Sequence, residues 1–171
     1  MYYVLFEMTP TAIVSPRGEQ RFRSGHPWVY KADIADVHAD PGDRVLVRSV
    51  RGLVLGSALY SSRSQIALRV LSYGDEIADD GLVRRRLEAA LAFRRTLNID
   101  GTACRLVHGE ADRLPSLVVD QYGDYLVVQA LSQGMDRLTP VVTEALKLWW
   151  IKLPEFGVWT SSGVVPKVEN L

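Results

Sequence analysis

Residues 44–60 read RVLVRSVRGLVLGSALY, and this stretch decides the fold class. Two strand-like pieces, residues 44–50 and 53–60, flank Arg51-Gly52, a pair with the make-up of a hairpin turn. Just upstream, Asp40-Pro41-Gly42-Asp43 is a turn with a mechanism: the proline presets φ and the glycine accepts a positive φ after it. TAIV at 11–14 and QIALRVLS at 65–72 continue the same texture on either side. Between TAIV and the rest, residues 17–25 are polar and are expected to form a short helix or an ordered loop. Several short strands in so short a span predict a β-rich module over residues 1–75, closing into a compact barrel.

The texture changes at Asp79. Leu82, Val83, Leu87, Ala90, Leu91 and Phe93 fall mostly at helical spacing behind Asp79 and Asp80 as candidate caps, which predicts a helix ending near Leu97. Arg84, Arg85, Arg86, Arg94 and Arg95 are expected on its solvated side. Strand character returns after Gly101 in CRLVHG, SLVVDQY and DYLVVQAL, the last two joined by a hairpin turn at Tyr122-Gly123-Asp124. A second helix is expected from Met135 to Trp150, with Pro140 tolerated in its first turn, and GVWTSS is a candidate final strand. The fold class expected is therefore α+β: a barrel, then a small mixed domain of strand-strand-helix-strand order over residues 79–171.

A length of 171 residues and a hydrophobic content of 47% suffice for a real core, which excludes a disordered chain. Lys plus Arg and Asp plus Glu both number 20, so the total charge asks for no polyanionic partner. The distribution leans further: residues 1–75 hold nine basic against seven acidic side chains, and residues 98–171 hold six against nine. That asymmetry points the first half, faintly, toward nucleic acid. The single cysteine, Cys104, excludes an internal disulfide framework and a cysteine-built zinc site, and is expected to be a buried structural thiol in a reducing cytoplasm. The opening MYYVLFEM carries Glu7, lacks a basic start and is too short for a signal peptide or a span; it is expected to be a short strand or an extension. No other run approaches membrane length, so the expectation is a soluble protein with no membrane partner.

Motifs of catalysis and cofactor binding are missing from the string. It holds no GxGxxG after a strand, no Walker A loop, no HExxH, no GxSxG and no paired CxxC, and His26, His38 and His108 are scattered. Three segments stand out instead. In GHPWVYKADI, residues 25–34, Trp28 and Tyr30 alternate with Val29, and Pro27 holds His26 extended. Trp28 there is either a core anchor with His26 as a capping donor, or part of a stacking and phosphate-binding surface with Arg17, Arg21 and Arg23. In SSRSQIALRV, residues 61–70, the hydroxyls of Ser61, Ser62 and Ser64 flank Arg63 ahead of Gln65, which suits phosphate oxygens or simply a polar turn. In CRLVHGEADRLPSLVVDQYGDYLVVQ, residues 104–129, His108, Glu110 and Asp112 could serve acid–base or metal chemistry, or a hydrogen-bonded loop fixing the Leu114-Pro115 turn.

Taken in order, these three segments resemble the N-terminal half of the large-subunit ribosomal RNA cytosine carbon-5 methyltransferases that carry a PUA domain. The third string is the most specific, and the resemblance covers roughly residues 11–146. It implies a PUA-like RNA-binding barrel, a mixed α/β connecting domain, and a class I methyltransferase domain using S-adenosylmethionine that this sequence does not contain. Cys104 does not match the family's cysteine nucleophile. Where relatives tend to read Gly-Leu-Pro-Gly, this sequence has Arg113-Leu114-Pro115-Ser116, and an Arg-Ser-Asp-like stretch appears as Ser161-Ser162-Gly163.

The function expected on that basis is an RNA-binding portion of an rRNA-processing enzyme, truncated and inert alone. It holds no catalytic, cofactor or metal site of its own and takes structured ribosomal RNA as its partner. Arg17, Arg21, Arg23, His26, Trp28, Arg63 and Gln65 are the RNA-binding candidates, and His108, Glu110 and Asp112 those of the connecting domain. Two competing readings accompany it. One is an assembly module pairing with a second copy or a separate methyltransferase domain through Trp149, Trp150, Phe156 and Trp159; the other is independent catalysis at His108, Glu110 and Asp112.

Overall fold

The computed structural model describes residues 9–98, 101–150, 157–160 and 163–165. MYYVLFEM, Phe156, Ser161-Ser162 and the side chains of Trp150 and Trp159 lie outside what is described. The chain divides into two compact units, Met1–Glu76 and Ile77–Leu171.

In the first unit β1 (Thr11–Val14), β2 (Trp28–Tyr30), β3 (Ile34–His38), β4 (Arg44–Ser49), β5 (Val54–Tyr60) and β6 (Ile66–Tyr73) form one mixed sheet, ordered β2-β6-β5-β4-β1-β3. Only β1 and β4 run parallel. The outermost strands, β2 and β3, do not pair with each other, so the sheet is a half-barrel rather than the closed barrel expected. Register shifts in the β4–β5 and β5–β6 pairings supply the bending. At the second of these bends β6 crosses close to Gly56, whose φ is +148°; a Cβ there would run into the Ser72 carbonyl oxygen, so no side chain fits. Alternation fills the inner face with Ala12, Val14, Val29, Val45, Val47, Ala58, Leu68 and Val70. The turn at 40–43 forms as its residues dictate, with Gly42 at φ +95° and the Asp43 N–H donating to the Asp40 carbonyl.

Helix α1 (Pro16–Arg23) occupies the polar stretch. The Ser15 hydroxyl caps it by accepting the Gly18 N–H, and Pro16 sits where a missing N–H costs nothing. Phe22 seals its inner side, 1% exposed, with its ring edge-on to Tyr73. Strand β3 and the 3-10 turn at Lys31–Asp33 that leads into it go beyond the elements expected from the sequence.

In the second unit β7 (Ala103–His108), β8 (Leu117–Tyr122), β9 (Tyr125–Ala130), β10 (Gly157–Thr160) and β11 (Gly163–Val165) form a sheet ordered β11-β10-β9-β8-β7. β11 is a further strand beyond those expected. β9 and β10 run parallel, joined through helix α3 (Gln133–Trp150) as a βαβ crossover. Helix α2 (Asp80–Thr96) is capped by the Asp79 carboxylate, which accepts the Leu82 N–H at 2.7 Å. Both helices pack on the sheet and on each other, enclosing Leu87, Leu91, Leu117, Leu126, Met135 and Leu146. Because α3 begins at Gln133, Pro140 lies inside the helix, not in its first turn; the Asp136 carbonyl there has no N–H above it.

Candidate nucleic-acid interface

Six of the first unit's eight arginines lie on α1 and the β4–β5 hairpin, and two covered carboxylates hold four of them. Asp33, 1% exposed at the end of the 3-10 turn, takes the guanidinium of Arg17 on one oxygen and that of Arg21 on the other, the latter at 3.3 Å. Its backbone carbonyl also accepts the Ser15 N–H, so the turn is stitched to the start of α1. Gly18 permits this approach: a Cβ there would lie 2.7 Å from the Asp33 carbonyl oxygen. Glu19 repeats the device. Its Oε1 accepts Arg23 Nε at 2.9 Å and Arg51 Nη2 at 3.2 Å. The hydrogen bond from Arg23 holds the Glu19 carboxyl below the usual carboxylate range, with help from Arg51 and against the opposing effect of burial.

Two carboxylates thus hold four guanidinium groups. The acids are covered while Arg17, Arg23 and Arg51 keep more than half their side-chain surface in water, so the outer face presents surplus positive charge with donors to spare.

Beside α1, β2 places Trp28 and Tyr30 on one face and Val29 in the core. Trp28 is half-buried, while the fully buried side chains beside it are Val29 and Phe22. Arg21 lies over the Tyr30 ring, 4.8 Å from its centre, and the His26 ring stands 6.0 Å from Trp28 and 6.4 Å from Tyr30. His26 Nδ1 lies 3.1 Å from the Trp28 nitrogen and 3.0 Å from its carbonyl oxygen, so either tautomer ties the imidazole to the backbone of β2. At the other end of β2 the Lys31 N–H donates to the Gln65 carbonyl, which draws the exposed Arg63 and Gln65 to the same edge of the sheet. Ser64 instead serves its own turn by accepting the Ile66 N–H.

All seven RNA-binding candidates therefore lie along α1, β2 and the adjoining connection. Sequence reading misses Asp33, Glu19 and Arg51 and leaves Tyr30 out of the candidate set. The i,i+4 spacings of Arg17 with Arg21 and of Glu19 with Arg23 are the available signal.

In the second unit His108, Glu110 and Asp112 come together on a 3-10 turn, Gly109–Asp112, and the residue leading into it. Asp112 is engaged structurally: both its oxygens lie 2.7 Å from Arg94, and one accepts the His108 N–H at 2.6 Å. Arg86 donates to the Arg113 carbonyl, and the Leu114 N–H to that of Gly109. The loop is a staple holding the Leu114-Pro115 turn, and no group of three His, Cys, Asp or Glu residues fit to hold a metal ion occurs among the described residues. The arginines of α2 are not simply solvated as expected. Arg84 pairs with Glu144, Arg86 and Arg94 clamp this loop, and Arg95 stacks on Trp149 at 4.2 Å. Cys104 is half-buried rather than buried, its sulfur 3.9 Å from Gln121 Oε1.

Residues 12–73 match the PUA-like domain family. Over most of its length the chain is homologous to ribosomal RNA large subunit methyltransferase I. The Vibrio cholerae protein is 38% identical over 169 residues and the Alteromonas mediterranea protein 35% over 171, each match covering 96% of this chain. The chain spans 42% of the length of either relative. Among solved structures, a protein from Streptococcus mutans assigned as a SAM-dependent methyltransferase superposes with a TM-score of 0.78 at 14% identity. That match covers 96% of this chain and 44% of the other, and it establishes likeness of fold. No described helix is long and apolar enough to cross a membrane.

Proposed function

We propose that this chain is the RNA-engaging part of a cytoplasmic large-subunit ribosomal RNA methyltransferase acting on cytosine carbon 5. Residues 1–75 bind structured rRNA, and residues 79–171 connect that module to the catalytic machinery. One observation carries the reading: four arginines held by two covered carboxylates beside a His–Trp–Tyr shelf. Phosphate oxygens match the surplus guanidinium donors, and nucleobases match the rings.

S-adenosylmethionine supplies the methyl group in this reading, but the described residues do not fit it. The one described strand-to-helix junction of the second unit, from β9 into α3, is closed by Ser132. Its hydroxyl accepts the Met135 N–H and touches Ser116 Oγ at 2.5 Å, where a nucleoside site needs open glycine backbone. No step of methyl transfer is therefore assigned to these residues.

The test is a fluorescence-anisotropy titration of the chain with a structured large-subunit rRNA fragment. Affinity falls about ten- to a hundredfold between roughly 50 mM and 200 mM salt if two to four phosphates are neutralised. Absence of binding at the lower salt overturns the reading.

A further inference from the structure

The tip of the β4–β5 hairpin is exposed, apolar and unusually well fixed. Val50, Leu53 and Val54 are 53%, 49% and 41% exposed, a cluster of aliphatic surface that folding gains nothing by displaying. The buried Ser49 organises the turn. Its hydroxyl accepts the N–H groups of Arg51 and Leu53, its N–H donates to the Leu53 carbonyl, and its carbonyl accepts the Gly52 N–H. Gly52 provides the φ of +81° the turn needs, and Arg48 Nη1 donates to its carbonyl. Such a tip loses little freedom when something packs on it.

Its neighbourhood indicates what that is. β1 runs parallel to β4 with Val14 opposite Ser49, so the chain leaves β1 for α1 at the foot of this turn. Arg51 then reaches Glu19 on α1 and shares it with Arg23. The apolar tip and the surplus guanidinium charge are thus parts of one continuous surface. An occupant of that surface offers an anion and, next to it, a flat apolar group, which is the make-up of an unpaired nucleotide.

We propose that Val50 and Leu53 form a wedge that packs against an unpaired nucleobase whose phosphate lies at Arg51 and Arg23. The proposal rests on the RNA-binding reading above and adds to it two aliphatic contacts to a base at the hairpin tip.

The test compares hairpin RNAs carrying an unpaired overhang, on either the 5′ or the 3′ end, with the same hairpin blunt-ended, titrated against wild type and Val50→Ser/Leu53→Ser. Both side chains are half in water, so the variant keeps its fold, checked by circular dichroism. Wild type is expected to prefer the overhang by about tenfold, the scale of burying these side chains. The double variant is expected to bind both kinds of RNA with the blunt-ended affinity and an unchanged salt dependence. A retained preference in the variant overturns the wedge alone, as does a wild type that binds both kinds equally. A wild type that binds neither overturns the wedge and the RNA-binding reading together. Self-association of wild type that the substitutions abolish, with RNA affinity unaltered, assigns the tip to a protein contact and likewise overturns it.

Discussion

Four arginines meet two carboxylates in the first unit, whereas in the second Arg94 meets Asp112 and Arg105 meets Asp120 one to one. The chemistry of each contact is the same. The ratio is not, and the ratio separates a surface that invites an anion from a pair that closes a structure. In the second unit Arg94 and Asp112 are 13% and 11% exposed, and their charges cancel where water barely reaches. In the first unit the acids are covered and most of the guanidinium groups are not, so the charge left over faces outward.

Breaking a one-to-one pair has the largest expected effect. Asp112→Ala leaves the Arg94 guanidinium nearly buried without its partner and the His108 N–H without its acceptor. A loss of about 3 kcal/mol is expected, the scale for orphaning a buried charge. Urea unfolding followed by circular dichroism checks it. RNA affinity of the folded variant stays as in wild type; a parallel fall in affinity would place Asp112 in the binding surface and erase the contrast between the units.

Removing only the surplus is the complementary experiment. Arg17→Ala/Arg51→Ala leaves each carboxylate one arginine, so neither acid is orphaned and stability changes by less than about 1 kcal/mol. RNA affinity is expected to fall about tenfold and the salt dependence to flatten by about two phosphate contacts. Unchanged affinity would mean that the extra guanidinium groups only brace α1.

The same contrast explains what could be read from the sequence. Turns whose chemistry is local were legible: Gly42 and Gly52 take positive φ at the expected places, and Gly123 with φ +55° opens the β8–β9 hairpin. The Asp79 cap and the helical spacing of Leu82, Val83, Leu87 and Leu91 likewise announced α2, and all four side chains are buried. What stayed hidden depends on partners far along the chain. β3 has no clean alternation of buried and exposed positions, and is a strand because β1 pairs with it. Asp33 and Glu19 read as surface charges until folding brings arginines over them, across 12 to 32 residues for Arg21, Arg17 and Arg51. Pro140 lies deeper in α3 than expected because the helix starts at Gln133, two residues before Met135; the start signal was Ser132, whose hydroxyl caps the helix by accepting the Met135 N–H and which reads in the sequence as an ordinary loop serine.

A smaller effect is expected where the staple loop departs from the Gly-Leu-Pro-Gly pattern. Arg113 and Ser116 stand at φ +56° and +60°, the left-handed region in which a Cβ costs about 1–2 kcal/mol. Arg113→Gly keeps the carbonyl that accepts Arg86 and is expected to stabilise the second unit by about 0.5–1 kcal/mol, once the greater freedom of glycine in the unfolded chain is set against the relief. Ser116→Gly gains less, because it also removes the hydroxyl that touches Ser132. Denaturant midpoints of the two variants order these effects; a destabilised Arg113→Gly would show that the arginine side chain itself holds the loop.

The smallest effect is a pH dependence peculiar to the first unit. Glu19 is held below the usual carboxylate range by Arg23 and then Arg51, so it binds a proton less readily folded than unfolded. Its contribution to stability is therefore complete above the ordinary carboxylate pKa and disappears as pH falls through the lowered folded value. Glu19→Gln removes that titration while keeping an oxygen that can accept from both arginines. Wild type is expected to be the more stable of the two near neutrality, and the difference to shrink as the pH is taken down through the carboxylate range. Urea midpoints at a series of pH values measure this. A difference independent of pH would mean that Glu19 acts by shape and hydrogen bonding alone, and that its charge plays no part in holding two arginines at the surface.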